Sequence, residues 1–339
     1  MDRFELSPKE SVFLDAKKFL AHSFSMHISS PRELIAAIPH LLGFHPANSI
    51  VLVAFDDTEI VGAIRADLDV VREAMVSPLV NVVNECDDPY LAIVYYCDKP
   101  TETTDWQEAL DGTFAVPVLD VLQVTESAWR SLLCSDASCC PAEGNAIDRN
   151  ITALDTAFVA NGSAPLDSRE ELVSTFQTRP LNDDDITERA IAFSKTRTSE
   201  CAAELAWTIN ALIHDDFAEW NNVARVSQAL CDFRIRDGLL RASYDTPSLR
   251  WFVKSRLREV LQKVDDSFVP ALATVVAGCA WLDGNGVLAN VAITRALECD
   301  PTYSLAQLLD RALTHGVPPH VWAESLAAVS PEKCLAGAA

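Results

Sequence analysis

The chain has 339 residues, of which 49% are apolar and 8% aromatic, and 27 lysines and arginines face 49 aspartates and glutamates. This composition excludes disordered, collagen-like and low-complexity proteins, and the length suits about two domains. Because duplex nucleic acid is bound through a basic surface, the net charge of −22 excludes a duplex-nucleic-acid-binding protein.

The beginning of the chain predicts a cytoplasmic protein. Residues 1–24 form an N-terminal extension of mixed charge, without the apolar core of a signal peptide. No membrane segment is expected, because the longest apolar run, Val269–Leu282, contains Pro270 and is shorter than the ~18 residues that a spanning helix needs. Thiols stay reduced in the cytoplasm, so the ten cysteines do not imply disulfides.

The segment from Ser30 to Gly43 predicts the first helix. Ser30 can cap its N-terminus, Pro31 suits the first turn, and Glu33 completes a capping box. Apolar residues then recur at helical spacing until Gly43, a residue type typical of helix C-termini.

Strands alternate with helices over the next hundred residues. The apolar run Ile50–Phe55 is typical of a strand buried on both faces, and the turn after it predicts an antiparallel partner at Glu59–Ala66. This pattern predicts an α/β sandwich around a mixed sheet over residues 25–160. Its other predicted elements are strands at Tyr90–Tyr96 and Ala115–Val124 and helices near 70–84 and 103–110.

The second half is expected to be helical. Residues 161–168 resemble a linker, residues 169–330 predict an all-α domain, and residues 331–339 a tail. Ala289, Ala296 and Pro301 have the spacing of a tetratricopeptide-type second helix, although no second copy is present, which predicts a single tetratricopeptide-like helical hairpin. The other predicted helices are 168–177, 184–197, 199–215, 217–231, 246–264 and 268–282.

The most unusual local feature is a group of three cysteines. Cys134, Cys139 and Cys140 fall within seven residues of a small, polar segment closed by Pro141 and Gly144, which predicts a loop. The other cysteines are expected in the core: Cys86, Cys97, Cys201, Cys231, Cys279, Cys299 and Cys334.

Three interpretations of this loop are open. The C-x4-C spacing is within the range that structural zinc uses, with Cys140 as a third thiolate and Cys97 or His45 as candidates for the fourth ligand. A Cys134–Cys139 disulfide is sterically easy and would make the loop a redox element. The third interpretation is a structural turn whose thiols are packed under the sheet edge as small hydrophobic groups.

A second candidate site joins the first two strands. His45 and Ser49 flank the start of one, and Arg65 and Asp67 lie at the end of its antiparallel neighbour, so the four can meet at one sheet edge. They would form a pocket for an anionic ligand, with Arg65 binding it and His45 as acid or base. Alternatively, Arg65 and Asp67 only pair with each other. Phosphate-binding and hydrolase motifs are absent from the sequence.

Several blocks of the sequence resemble a known family. Pro39–Val51, Arg65–Leu68, Cys134–Gly144 and Trp281–Gly286 are similar, in this order, to the actinobacterial domain of unknown function 4192. The family's aromatic-rich segment before the first cysteine is reduced here to Ser127–Leu132, with a single tryptophan. The resemblance implies an actinobacterial cytoplasmic protein and no catalytic assignment.

Two functions follow from these observations. The first is a non-catalytic interaction or regulatory protein, whose acidic surface would attract a basic partner protein. The second is a hydrolase or transferase that acts on an anionic small molecule at His45, Ser49, Arg65 and Asp67. The oligomeric state does not follow from the sequence.

Overall fold

The computed structural model describes residues 28–56, 59–68, 89–98, 116–147, 153–160, 163–178, 189–190, 200–215 and 217–337. The N-terminal extension, Cys86 and the helices predicted near 70–84 and 103–110 lie outside these ranges, as does most of the helix predicted at 184–197.

The described strands form one six-stranded sheet: β1 (Ser49–Asp56), β2 (Glu59–Asp67), β3 (Pro89–Tyr96), β4 (Val118–Val124), β5 (Ala128–Ser131) and β6 (Asn145–Ala146). Their order across the sheet is β2-β1-β3-β4-β5-β6. Only β3 and β4 are parallel among these neighbours, and the remaining pairs are antiparallel. The predicted mixed sheet and the antiparallel pairing of β1 with β2 are therefore confirmed.

The burial of β1 explains its unbroken apolar sequence. Every residue from Ser49 to Phe55 is buried. Val51, Val53 and Phe55 belong to the larger of two apolar clusters, and the alternate residues belong to the smaller cluster on the opposite face. Because both faces are covered, the alternation of apolar and polar residues that marks a half-exposed strand is missing.

The first described helix, α1 (Pro31–Leu42), is confirmed together with its caps. The Ser30 hydroxyl accepts a hydrogen bond from Glu33 N, and Gly43 is left-handed with φ +80°. The capping box differs in one detail, because the Glu33 carboxylate accepts from the N–H of Ser29 instead of that of Ser30. The hydrogen bonds from Ser29 hold the pKa of Glu33 below its usual value.

Eleven further helices are described: α2 (Ala153–Ala160), α3 (Arg169–Ser174), α4 (Cys201–His214), α5 (Trp220–Leu230), α6 (Phe233–Asp245), α7 (Pro247–Leu261), α8 (Val269–Leu282), α9 (Gly286–Cys299), α10 (Ser304–Thr314), α11 (Pro319–Ala327) and α12 (Pro331–Ala336). The helices predicted at 199–215, 217–231, 246–264 and 268–282 are confirmed, and α3 lies within the helix predicted at 168–177. Helices α2, α6, α10 and α11 were not predicted individually, and α12 lies in residues that were predicted as a tail. The α/β part is thus followed by a helical region, as expected.

Helix α8 is the centre of the helical region. It packs against α7, α9, α10 and α11, and all its residues except the last are buried. This position explains why α8 is apolar on every side. Ala289 and Ala296 of α9 are fully buried, but the tetratricopeptide-like character of this region stays a prediction. None of the described helices is long and apolar enough to span a bilayer.

The segment 163–178 contacts both parts of the chain. Leu166, inside the predicted linker, forms a β-bridge with Phe44 at the end of α1. Farther along, the guanidinium of Arg258 donates to the Thr175 hydroxyl, and that of Arg295 donates to the Phe176 carbonyl. This segment therefore contacts both the end of α1 and the helices α7 and α9. The domain boundaries given by the sequence stay a prediction.

Candidate functional site

A cavity of about 790 Å³ lies at the edge of the sheet where β3 and β4 end and β1 begins. Because β3 and β4 are parallel, their carboxyl ends meet there, which is where open α/β sheets bind ligands. The volume is within the roughly 300–1,000 Å³ typical of small-molecule sites. The wall is formed by one face of α1, residues 45–48, 96–98 and 124–126, and by Trp129, Ile147, Asp155, Pro165 and Asp167.

The charge of this wall is mainly negative. Among the lining residues, Asp98, Glu126, Asp155 and Asp167 carry carboxylates, and Arg32 is the one guanidinium. A concave surface lined by one sign of charge concentrates ions of the other sign. The cavity therefore favours a ligand with a positive group over the anionic ligand that the sequence suggested.

Two hydrogen-bond donors of the wall have no partner. The Tyr96 hydroxyl and the Trp129 indole nitrogen are buried, and neither forms a hydrogen bond in the described part of the chain. Leaving such a group unpaired costs about 1–3 kcal/mol, so buried polar groups usually have a partner. Burial also raises the pKa of Tyr96, which keeps its phenol protonated and able to donate. A ligand with an acceptor group would satisfy both side chains.

His40 is the centre of a row of hydrogen-bonded side chains beside the cavity. Its Nε2 lies 3.1 Å from Asp155 Oδ1, and its Nδ1 lies 3.1 Å from the Ser163 hydroxyl. The imidazole stacks on Phe158 with a centroid distance of 4.3 Å, and its side chain is only 6% exposed. With the proton on Nε2, the carboxylate accepts from the imidazole and Nδ1 accepts from the hydroxyl.

The sequence contained no signal for this arrangement. Asp155 and Ser163 are more than 100 positions from His40 along the chain. They meet because α2 packs against α1. Such a group assembles in space and leaves no spacing pattern in the sequence.

The four residues predicted to share one sheet edge are only partly brought together. Ser49 and Asp67 are direct partners across β1 and β2, as expected from the antiparallel pairing. His45 lines the cavity, but the other three are not among the lining residues. Ser49 is fully buried, and its hydroxyl has no hydrogen-bond partner in the described residues.

The guanidinium of Arg65 interacts with a residue of its own strand, β2. Its guanidinium forms an ion pair with Asp67 and lies 5.9 Å from the centre of the Phe44 ring. The side chain of Arg65 is 10% exposed, whereas that of Asp67 is 52% exposed. Arg65 therefore positions the turn before β1, to which it also donates a long hydrogen bond at the Ala47 carbonyl (3.5 Å).

The second candidate site is the cysteine loop that follows β5. The sulfur atoms of Cys134, Cys139 and Cys140 all lie within 4.8 Å of one another, and those of Cys139 and Cys140 are 3.9 Å apart. Cys139 is exposed and the other two are half-buried. The interpretation of a turn packed under the sheet edge is therefore wrong for Cys139, because its thiol faces solvent.

The crowding of the three thiols affects their chemistry. Hydrogen bonding to Cys140 and Cys134, with repulsion between the thiolates, raises the pKa of Cys139 to about 11. A reactive redox cysteine needs a lowered pKa, so a raised value disfavours the redox interpretation for this thiol.

Neither residue considered as a fourth metal ligand joins the three sulfurs. Cys97 is buried at the end of β3, where its carbonyl and sulfur accept from the Gln123 amide. Three strand spacings, or about 14 Å, separate β3 from β6, to which the loop returns. His45 lies in the cavity wall. Of the other cysteines expected in the core, Cys279 and Cys334 are also buried, Cys201 and Cys299 are half-buried, and Cys231 is exposed.

Comparison with protein families finds one match, which covers most of the chain. The family model "Domain of unknown function (DUF4192)" matches residues 31–320. The chain belongs to this family. Comparison with curated proteins and with solved structures finds no match.

Both candidate sites of this DUF4192 chain lie inside the matched region. The cavity wall runs from Arg32 to Asp167, and the cysteine loop lies between β5 and β6. Membership in DUF4192 confirms the resemblance given by the four sequence blocks. It assigns no activity to either site.

Proposed function

We propose that this DUF4192 chain is a non-catalytic regulatory protein of the cytoplasm that binds a small polar ligand in the cavity. The observation that supports this proposal is the combination of two donors that have no partner among the described residues, on Tyr96 and Trp129, with a wall of carboxylates. A cavity of about 790 Å³ is large enough to surround such a ligand.

The wall favours a ligand with two kinds of polar group. A carbonyl or carboxylate oxygen would accept from the Tyr96 phenol and the Trp129 indole. An amino or guanidino group would pair with the carboxylates of Asp98, Glu126 or Asp167, since charge-assisted hydrogen bonds are the stronger ones. Amino acids with basic side chains combine both groups. The chain would act on a partner protein, and its net charge of −22 supports a basic one.

Thermal unfolding in the presence of matched small molecules tests this proposal. We expect L-arginine to raise the Tm more than putrescine, which lacks an acceptor oxygen, and citrate to leave it unchanged. A saturating ligand at about 100 times its Kd stabilises the folded state by about 2.7 kcal/mol, enough to measure. A shift with citrate alone would contradict the proposal and favour the anionic ligand.

Variants link the shift to the cavity. Trp129→Phe keeps an aromatic ring but removes the indole N–H, and Asp98→Asn removes one negative charge from the wall. Both should reduce the arginine-dependent shift. Trp251→Phe, at an exposed tryptophan of α7, and Glu324→Gln, at an exposed position of α11, are the matched controls and should keep it. If the control variants lost the arginine-dependent shift to the same extent, the ligand would not be bound in this cavity.

A hydrolase is the second candidate, favoured by the hydrogen-bonded side chains of Ser163, His40 and Asp155. It replaces His45, Ser49, Arg65 and Asp67 as the better-supported catalytic set, because its members are hydrogen-bonded to one another. The non-catalytic function stays the first candidate, because Ser163 is not among the residues that line the cavity. A bound ligand would therefore not meet its hydroxyl.

A fluorophosphonate probe, which labels activated serines without knowledge of the substrate, separates the two candidates. We expect no labelling of Ser163 by mass spectrometry, because its hydroxyl lies outside the cavity wall. Labelling that disappears in His40→Gln would establish the hydrolase instead. His320→Gln, on α11 far along the chain, serves as the matched histidine control.

A further inference from the structure

We infer that Cys134, Cys139 and Cys140 form a binding site for one zinc ion, with the fourth coordination position taken by solvent. This inference goes beyond the proposed function and does not depend on the cavity. The three residues provide three thiolate ligands, and the exposure of Cys139 leaves the group accessible to water.

The distances between the sulfur atoms suit zinc coordination. Two thiolates bound tetrahedrally at a Zn–S distance of ~2.3 Å are about 3.8 Å apart. The sulfurs of Cys139 and Cys140 are already 3.9 Å apart, and all three are within 4.8 Å of one another. The site therefore needs a movement of about 1 Å at most in the sulfur of Cys134, within reach of a change in its side-chain torsion.

Hydrogen bonds centred on Asp136 hold the geometry of the loop. The Asp136 carbonyl accepts hydrogen bonds from the N–H groups of Cys139 and Cys140, at 3.1 and 2.8 Å. The Asp136 carboxylate accepts from the N–H and hydroxyl of Ser138. These bonds form a tight turn that brings the two adjacent cysteines back toward Cys134.

Both ends of the loop are fixed to the sheet. The Ser131 hydroxyl, which donates to the Asp120 carboxylate, accepts from the N–H of Cys134. At the other end, the Asn145 amide donates to the Cys139 carbonyl at 3.0 Å. Gly144 has φ +80°, and a Cβ there would lie 3.0 Å from the Trp129 carbonyl, so a glycine is needed where the loop returns. The ligands are thus positioned by β5 and β6 before an ion binds.

Zinc coordination requires thiolate ligands, which the three cysteines can supply. Zinc binding would release the three thiol protons to solvent and leave three thiolates on one divalent ion. Among the described residues, no histidine, aspartate or glutamate joins the group, which leaves the fourth position to water.

Metal titration of the full chain, purified under reducing conditions without chelator, tests the site. We expect one zinc ion per chain by elemental analysis. After removal of zinc, one equivalent of Cd²⁺ should produce the ultraviolet sulfur-to-cadmium charge-transfer band. Cys139→Ser and Cys140→Ser should bind at least about 10-fold more weakly, since even outer-shell changes cost 10–100-fold. Cys231→Ser, at an exposed cysteine outside the loop, should bind as the wild type does.

A measurement on the wild type tests the site without depending on whether the variants fold. Zinc should protect three thiols of the 134–140 peptide from alkylation by iodoacetamide, and a chelator should restore their reaction. Absence of metal with all three thiols free would overturn the inference. So would a Cys134–Cys139 disulfide, seen as a mass two hydrogens lower under non-reducing conditions. The cavity proposal would be untouched by either result.

Discussion

Arg225→Met is expected to lower the free energy of unfolding by about 3 kcal/mol, because it removes the opposite charge that a buried carboxylate faces. In the structure, the Arg225 guanidinium binds both oxygens of Glu204 at 2.8 and 3.0 Å and lies 3.7 Å from the centre of the Trp207 ring. Glu204 is 3% exposed, whereas Arg225 is 32% exposed. Equilibrium denaturation in urea measures the loss.

Because Glu204 is more buried than Arg225, the two single variants should differ in how much stability they cost. Glu204→Gln leaves an arginine that water can still reach, so it should cost less than Arg225→Met. The double variant Glu204→Leu/Arg225→Met removes both charges and should recover much of the stability. If the two single variants cost the same, burial of the carboxylate is not the dominant effect.

The loss in Arg225→Met should also depend on pH. Removal of the opposite charge raises the pKa of the carboxylate relative to the wild type. The ionised carboxylate then contributes less to stability, and this loss fades as pH falls toward the ordinary glutamate pKa of about 4.3, where the carboxylate begins to be protonated. The variant should therefore be closer to the wild type at about pH 4 than at pH 7, when each is compared at the same pH.

Phe44→Ala is expected to lower the free energy of unfolding by about 3–5 kcal/mol, the usual effect of truncating a buried phenylalanine. Phe44 is 1% exposed in the larger apolar cluster, and its backbone pairs with Leu166. It also lies under the guanidinium of Arg65. Phe44→Leu, which keeps most of the apolar side chain, should cost less than Phe44→Ala.

Phe44→Ala should also weaken ligand binding in the cavity. Phe44 immediately precedes residues 45–48, which form part of the cavity wall. When its ring is removed, these residues lose their support, so the arginine-dependent Tm shift should fall in Phe44→Ala and persist in Phe44→Leu. A full shift in Phe44→Ala would show that the turn keeps its geometry without the ring.

The elements predicted well are those whose signals are local. In α1, Ser30, Pro31 and Gly43 mark both ends within fourteen residues, and the structure has the helix between them. In β1 and β2, a short turn between two strand-like runs required antiparallel pairing, and Ser49 lies opposite Asp67 as a result. Each prediction depended on interactions over a few positions of the chain.

Helix α6 and strand β5 were missed because their own residues carry weak signals. In α6, Ile235, Leu239 and Leu240 are the buried apolar residues among polar neighbours, and only two residues separate this helix from α5. Strand β5 has four residues and is defined by its pairing with β4 and β6. Tertiary pairing, more than intrinsic propensity, determines such short elements.

The order of strand-like and helix-like segments and the cysteine spacing determined several properties without any structure. The alternation of strands and helices predicted the mixed sheet followed by helices, and the absence of duplex-nucleic-acid binding stays a prediction from the net charge of −22. The grouping of Cys134, Cys139 and Cys140 in sequence was also visible, and the turn at Asp136 brings their sulfur atoms together.

Only the tertiary structure determined the cavity and the partners of His40. The cavity wall combines α1, the ends of β3 and β4, and Asp155 and Asp167, which are far apart in the chain. His40 meets Asp155 and Ser163 only when α2 packs against α1. The physical reason is that periodicity and capping encode interactions between near neighbours in sequence, whereas the shape and charge of a cavity depend on how distant segments pack.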